Sequence, residues 1–325
     1  MPEGVYGVDV SKDWLDVAAP DGAVRRVTMA VEARAGLAAE VAEVAGAAGA
    51  GGRMVFEASG AYDRPLRRAL DLAGVVYAGV VYARANPARA RFFVRGEGGP
   101  RTPLAKTDRV DARMLRRMGL AQDLAPTQAE TEVVRHIRAL HSRRRQLVAL
   151  RKTERTRRHG IDDAAAAASA PALLGWLDAE ITRFDAAIAH TIAADPDIKE
   201  KARRLATAPG AGAVTIAALI AECPELGTMT GREIAALTGL APIANDSGKR
   251  HGPRRIAGGG KPLRDLLYMA ALSAARKDPT LAAFKARLRA RGKAPKQATL
   301  AVARKLITIL NAMIKQGTDF QTVPQ

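Results

Sequence analysis

VYGVDVSKDWLDVAA, residues 5–19, then Pro20-Asp21-Gly22 and AVRRVTMAV, residues 23–31, decide the fold of the first half of the chain. The first run alternates and is rich in valine, Pro-Asp-Gly is turn chemistry, and the second run is again strand-like, so together they read as a hairpin. Working outward, the pattern predicts a helix from about Ala33 to Ala48, a strand at Arg53–Glu57, a helix from about Asp63 to Ala73 and a strand at Val75–Val81. A loop around Phe92 to Pro103 follows, and a helix from near Thr107 to Gly119 closes this half. Strands alternating with helices imply an α/β sheet domain, bounded near Pro126.

Beyond that boundary the expectation is all-α. Val133, Ile137, Leu140 and Leu147 follow a coiled-coil seam interrupted by Arg144, and Leu177, Ile181, Phe184 and Ile188 follow a second. The Ala-rich stretch from Asp162 to Pro171 separates them, so residues 127–200 read as an antiparallel helical hairpin whose seams either contribute to assembly of a homo-oligomer, a dimer or tetramer, or pack on each other within one chain. Residues 201–325 form a second helical domain. It opens with LATAPGAGAVTIAALIAE, residues 205–222, in which Gly210 and Gly212 resemble a helix-hairpin-helix turn. Such a turn either presents backbone N–H groups to a phosphate or simply packs two helices. Gly239 to Gly260 reads as a polar, Gly-rich loop, and Lys261 onward as two basic helices.

The chain has 325 residues, with 51 Lys+Arg against 33 Asp+Glu, a net charge of +18. A polyanion, nucleic acid above all, is therefore the expected partner. Aromatic residues make up 4%, too few for affinity built on stacking unpaired bases, which leaves phosphate contacts. From Arg135 to Arg158 ten cations face one acid, Glu154. Arg143, Arg144, Arg145, Arg151 and Lys152 on this arm are candidate phosphate contacts. A lone Cys223 excludes an intramolecular disulfide framework and a cysteine-rich zinc site. With no spanning apolar run and no signal pattern, a soluble cytoplasmic protein without membrane contact is expected.

Asp9 sits inside the first strand, between Val8 and Val10, where a carboxylate is out of place. Glu57 ends a later strand, and Asp108 and Asp111 lie three apart on one helix face in KTDRVDARMLRRMG, residues 106–119. Taken singly, Asp108 reads as a helix cap, Asp111 as a surface acid and Glu57 as a strand end. Taken together, four carboxylates on three elements repel one another unless a cation neutralises them, and hard Mg²⁺ or Mn²⁺ takes such oxygen ligands. Two such ions can polarise the attacking and leaving oxygens of a phosphodiester. In the other half, Asp246-Ser247-Gly248 reads by itself as an ordinary turn, though its small residues would admit a phosphate that Lys249, Arg250, Arg254 and Arg255 would neutralise. A serine hydroxyl needs a base or a polarised target before it attacks. His251 reads either as a neighbour of that chemistry or as a surface residue.

GVDVSK at 7–12, EASGAY at 57–62 and KTDRVDA at 106–112 resemble the signature of the DEDD transposases of bacterial insertion sequences and the related Piv-type DNA invertases. The likeness continues through APGAGAVTIAALIAE and GLAPIANDSGKRHGPRRIAGGGKPLRDLLYMAALSA, residues 208–222 and 239–274, and so covers nearly the whole chain. It implies a RuvC-like, ribonuclease H-type fold for residues 1–126 and a transposase domain with a catalytic serine in 201–325. By the same resemblance Asp9, Glu57, Asp108 and Asp111 are the metal-binding catalytic tetrad and Ser247 attacks DNA. Donor and target double-stranded DNA and a guide or bridge RNA are the implied partners. Ser59 departs mildly from the pattern, standing where threonine is common.

Three other readings compete, one of them a non-catalytic nucleic-acid-binding protein, which would tolerate loss of all four acids. Gly-Val-Asp-Val-Ser resembles the first phosphate loop of actin-like sugar kinases, but Val10-Ser11-Lys12 replaces the expected glycine. A junction nuclease would share the tetrad and have no use for Ser247.

Overall fold

The computed structural model describes residues 4–321 except 49–51, 59, 61, 77–80, 98–106, 125, 128, 244–245, 248–249, 253 and 257–258. These fall into two compact units, 1–129 and 130–325.

The first unit contains β1 (Val5–Val10), β2 (Trp14–Ala18), β3 (Val24–Thr28), α1 (Val31–Ala48), β4 (Arg53–Glu57), α2 (Arg64–Val76), β5 (Val81–Ala85), α3 (Pro87–Glu97) and α4 (Asp108–Ala121). The five strands form one sheet in the order β3-β2-β1-β4-β5. β1, β2 and β3 pair antiparallel, whereas β1, β4 and β5 pair parallel. This mixed α/β unit is consistent with the ribonuclease H-type fold expected from the sequence. Alternation sends Tyr6, Val8, Met54 and Phe56 to one face, where Leu37 and Val41 of α1 and Leu66 and Leu70 of α2 cover them. Val5, Val55 and Ala83 point to the other face, under Leu115 and Met118 of α4.

Three expectations for this unit need correction. Residues 5–19 are two strands, because Ser11 turns the chain: its N–H donates to the Trp14 carbonyl at 3.0 Å and its Oγ accepts from the Trp14 N–H at 3.1 Å. The hairpin is thus a three-stranded meander. The strand placed at Val75–Val81 lies at Val81–Ala85, because the amphipathic helix α2 runs on through Val76. The first part of the loop placed at Phe92–Pro103 is helical, as α3 continues to Glu97.

The second unit contains α5 (Glu132–Arg158), α6 (Ala164–Ala167), α7 (Ser169–Ala194), α8 (Pro196–Ala206), α9 (Ala213–Glu222), α10 (Gly231–Leu237), β6 (Pro242–Ile243), β7 (Asp246–Ser247), β8 (Arg250–His251), β9 (Arg255–Ile256), α11 (Lys261–Lys277), α12 (Pro279–Ala290) and α13 (Pro295–Gln316). α5 and α7 form an antiparallel hairpin in which Leu147 packs on Leu177 and Ile181. Arg144 meets Asp185 and Arg151 meets Asp178, so rising numbers on one helix match falling numbers on the other. At the hairpin's base Ile137 and Ile188 join the core built by Leu205, Leu219, Leu267, Leu306 and Leu310. Lys261 onward is three helices, where two were expected. The 239–260 stretch, expected as a loop, contains two short antiparallel ladders, β6 with β9 and β7 with β8. Among the described residues no helix is long and apolar enough to cross a membrane.

Candidate active site

One row of side chains crosses the sheet. Asp9 on β1 stands opposite Asp16 on β2, and Asp16 opposite Arg26 on β3, so the three share a face. On the other side of β1, the parallel register Val8 to Phe56 puts Glu57 beside Asp9 at the next position, at the C-terminal ends of neighbouring strands. Ligands of parallel sheets gather at such ends.

Helix α4 brings the remaining two acids to this face. Gly7 lies two residues before Asp9 and therefore on the same side of β1. A Cβ there would come within 2.1 Å of the Ala112 carbonyl oxygen and 2.3 Å of the Arg116 nitrogen, so the helix backbone rests directly on the strand. Arg116 ties the contact by donating from Nε to the Val5 carbonyl at 3.2 Å. Thr107 caps α4 by accepting from the Val110 N–H, and Asp108 and Asp111 occupy the first turn. Acids suit that position because the helix dipole presents positive charge there.

The carboxylates feel one another. Burial raises the Asp9 carboxyl to about 6, and Asp108, Asp111, Glu57 and Asp16 add repulsion in that order. Asp16, buried beside it, is held by Arg26 at 3.2 Å (Nε–Oδ1) and 2.7 Å (Nη2–Oδ2). The same guanidinium reaches Asp108 at 3.4 Å. Among the described residues no three Asp, Glu, His or Cys side chains stand close enough together to hold a metal ion between them. The donor set nevertheless fits a hard divalent cation: it is all oxygen, and Asp9 carries a repulsion that such a cation would relieve. Asp108, Asp111 and Glu57 thus lie near enough to Asp9 to act on its charge. Asp16 and Arg26 belong to the same row and were not anticipated. A carboxylate inside Trp14-Leu15-Asp16-Val17, the signal that drew attention to Asp9, marks Asp16 equally.

Ser247 lies on β7, its backbone paired with Arg250 of β8. Arg254 and Arg255 are exposed nearby in sequence, while Lys249 and Ser59 lie outside the described residues.

Comparison with known proteins now decides the family. Residues 6–161 match the IS110-type DEDD transposase model, and residues 202–286 match the transposase IS116/IS110/IS902 family. The chain is 30% identical over 223 residues to the pilin gene-inverting protein of Moraxella bovis, covering 66% of this chain and 68% of that one. The chain belongs to the IS110 family of transposases. The corresponding protein of Moraxella lacunata gives the same identity and coverage. An uncharacterized 43.6 kDa protein of insertion element IS110 from Streptomyces coelicolor is 35% identical over 121 residues, 36% of this chain and 30% of that protein. The first family match spans all four acids, and the second spans Ser247.

The remaining candidates of this family member occupy varied settings. Arg144 and Arg151 face the partner helix of the hairpin, on Asp185 and Asp178, and Arg145 donates to Glu222 at 3.0 Å. Arg143 and Lys152 are exposed. Gly210 adopts φ +84°, and a Cβ there would lie 2.2 Å from the Ala270 carbonyl oxygen, so close packing on α11 explains this glycine. Gly212 is the N-cap of α9 and faces open space.

Proposed function

We propose that the protein cleaves and exchanges DNA strands of a mobile element, using the acid row of the first unit and Ser247 of the second. The observation that carries the reading is the shared neighbourhood of Asp9, Glu57, Asp108 and Asp111 at the sheet's C-terminal edge, in a chain of the IS110 transposase family. Asp9, Glu57, Asp108 and Asp111 would hold Mg²⁺ or Mn²⁺, which when bound supplies Lewis-acid polarisation of the scissile phosphate. Asp9 and Glu57 contribute from rigid strand ends, and Asp108 and Asp111 from a capped helix turn. Ser247 Oγ attacks phosphorus and displaces a deoxyribose oxygen, leaving a phosphoserine link whose bond energy is kept for rejoining. Arg250, Arg254, Arg255 and Lys249 offset phosphate charge around that serine.

The family resemblance supports two further parts of the reading. A guide RNA pairs with donor and target DNA, so the protein itself needs backbone contacts more than base readout, in keeping with many arginines and few aromatics. Two coordinated cuts call for a homo-oligomer. The relatives named for inverting a pilin gene accord with recombination of duplex DNA.

The test is to incubate the protein with labelled donor and target DNA, its guide RNA and Mg²⁺, then digest and map the labelled peptide by mass spectrometry. A nucleotide-linked peptide spanning Asn245 to Lys249, absent in Ser247→Ala, is the expected result. Undiminished cutting by Ser247→Ala with free ends would replace the serine by water as nucleophile, as in a RuvC-like nuclease.

A further inference from the structure

Asp278 and Asp319 bracket forty residues without a single acid, while Lys285, Arg287, Arg289, Arg291, Lys293, Lys296, Arg304, Lys305 and Lys315 all fall between them. Five of these, Arg287, Arg289, Arg291, Lys293 and Lys296, crowd the corner where α12 ends and α13 begins, and all five are exposed. The corner is a fixed structure: the Arg291, Gly292 and Lys293 N–H groups donate back to the Arg287, Arg289 and Leu288 carbonyls, and Arg289 Nη1 donates to the Lys293 carbonyl at 2.5 Å. None of the five is ion-paired among the described residues. On α5, by contrast, Asp185, Asp178 and Glu222 already neutralise Arg144, Arg151 and Arg145. The densest cationic run of the sequence is therefore partly spent inside the fold, and the corner is not.

We propose that the α12–α13 corner is a docking surface for the phosphate backbone of duplex DNA, a partner that rests on the DNA-recombining function proposed above. Five cations without an ion-pair partner among the described residues, from the end of α12 to the start of α13, complement a polyanion of regular charge spacing. Among the described residues none of the large exposed apolar side chains lies between 279 and 321, so the corner lacks an anchor for a protein or lipid partner. Nor does it offer a stacking platform for unpaired bases: Phe284, the nearest aromatic ring, has Arg287 at 5.5 Å and Lys305 at 5.0 Å from its centroid. Backbone contact with a duplex is what this chemistry can supply. The corner also lies beyond both family-matched stretches, 6–161 and 202–286.

The experiment measures binding of the full chain to a 30-base-pair duplex of arbitrary sequence by fluorescence anisotropy across a NaCl series. EDTA is present, so cleavage chemistry plays no part and failure of the metal or serine reading leaves the result intact. The variant Arg287→Gln, Arg291→Gln, Lys293→Gln, Lys296→Gln keeps Arg289, whose guanidinium braces the turn. It should melt like the wild type, bind at least ~30-fold more weakly at 150 mM NaCl, and lower the slope of log K against log [NaCl] by about 3.6, since each of the four lost phosphate contacts removes about 0.9. Exchanging Arg287 and Arg291 for Lys should leave the slope unchanged. An unchanged slope in the Gln variant, absence of wild-type duplex binding, or a loss confined to an RNA hairpin with duplex binding intact would overturn the proposal.

Discussion

Asp9 is charged against its surroundings at neutral pH. Burial and neighbouring acids raise its carboxyl from 3.8 to about 6 in the folded chain. A carboxylate with a raised folded pKa binds more protons folded than unfolded between those two values, so metal-free stability carries a penalty that sets in as pH rises through that window and is complete above it. Asn mimics the neutral carboxyl. In EDTA, Asp9→Asn should therefore melt higher than wild type at pH 7.5, with the advantage shrinking as pH falls through 6 and gone near 4. A difference independent of pH, read by circular dichroism, would show that repulsion at Asp9 is not its cause. At this scale the sequence was readable where a residue contradicts its element: an aspartate flanked by valines in a strand. Asp16 carries the same contradiction, but its charge is answered by Arg26 across the β2–β3 pair, and cross-strand register is invisible before the strand boundaries are known.

Elements whose borders coincide with a chemical break were legible, and those without one were not. Arg53–Glu57 follows a glycine run and matches its strand exactly. Val75, Val76, Val80 and Val81 are β-branched and span the end of α2 and the start of β5, so propensity marks the region as strand-like without locating where the helix stops. The α4–β1 contact shows the cost of a misplaced atom. Gly7 is required because the Ala112 carbonyl and Arg116 amide occupy the space a side chain would need, and backbone atoms held in a helix have little room to yield. Gly7→Ala should lower the stability of the first unit by about 3 kcal/mol or more, at the upper end of overpacking costs. It should also weaken Mn²⁺ binding even where the fold survives, because lifting α4 carries Asp108 and Asp111 away from Asp9. Retention of wild-type stability in urea unfolding, with full Mn²⁺ affinity, would mean that α4 does not depend on this contact.

Across the molecule, the α/β first half and helical second half followed from a change in periodicity that the structure keeps, with compact units divided at 129/130. Net charge pointed to a polyanion, yet charge density along the chain did not reveal which cations are free. That depends on acids from distant segments, such as Asp185 opposite Arg144, and only the packed hairpin brings them together. Ser247 was legible only through the family resemblance of its loop, since Asp246-Ser247-Gly248 by itself reads as an ordinary turn. The proposed function requires the acid row to be a metal-dependent cleavage centre. The most direct measurement is paired: Mn²⁺ titration of the full chain followed by electron paramagnetic resonance, and cleavage of the natural DNA sites in metal buffer, for wild type and Asp9→Asn. Asp9→Asn should bind Mn²⁺ at least ~10-fold more weakly and cut no DNA while holding duplex as tightly as wild type. Cleavage by Asp9→Asn at the wild-type rate, with Mn²⁺ affinity unchanged, would contradict it.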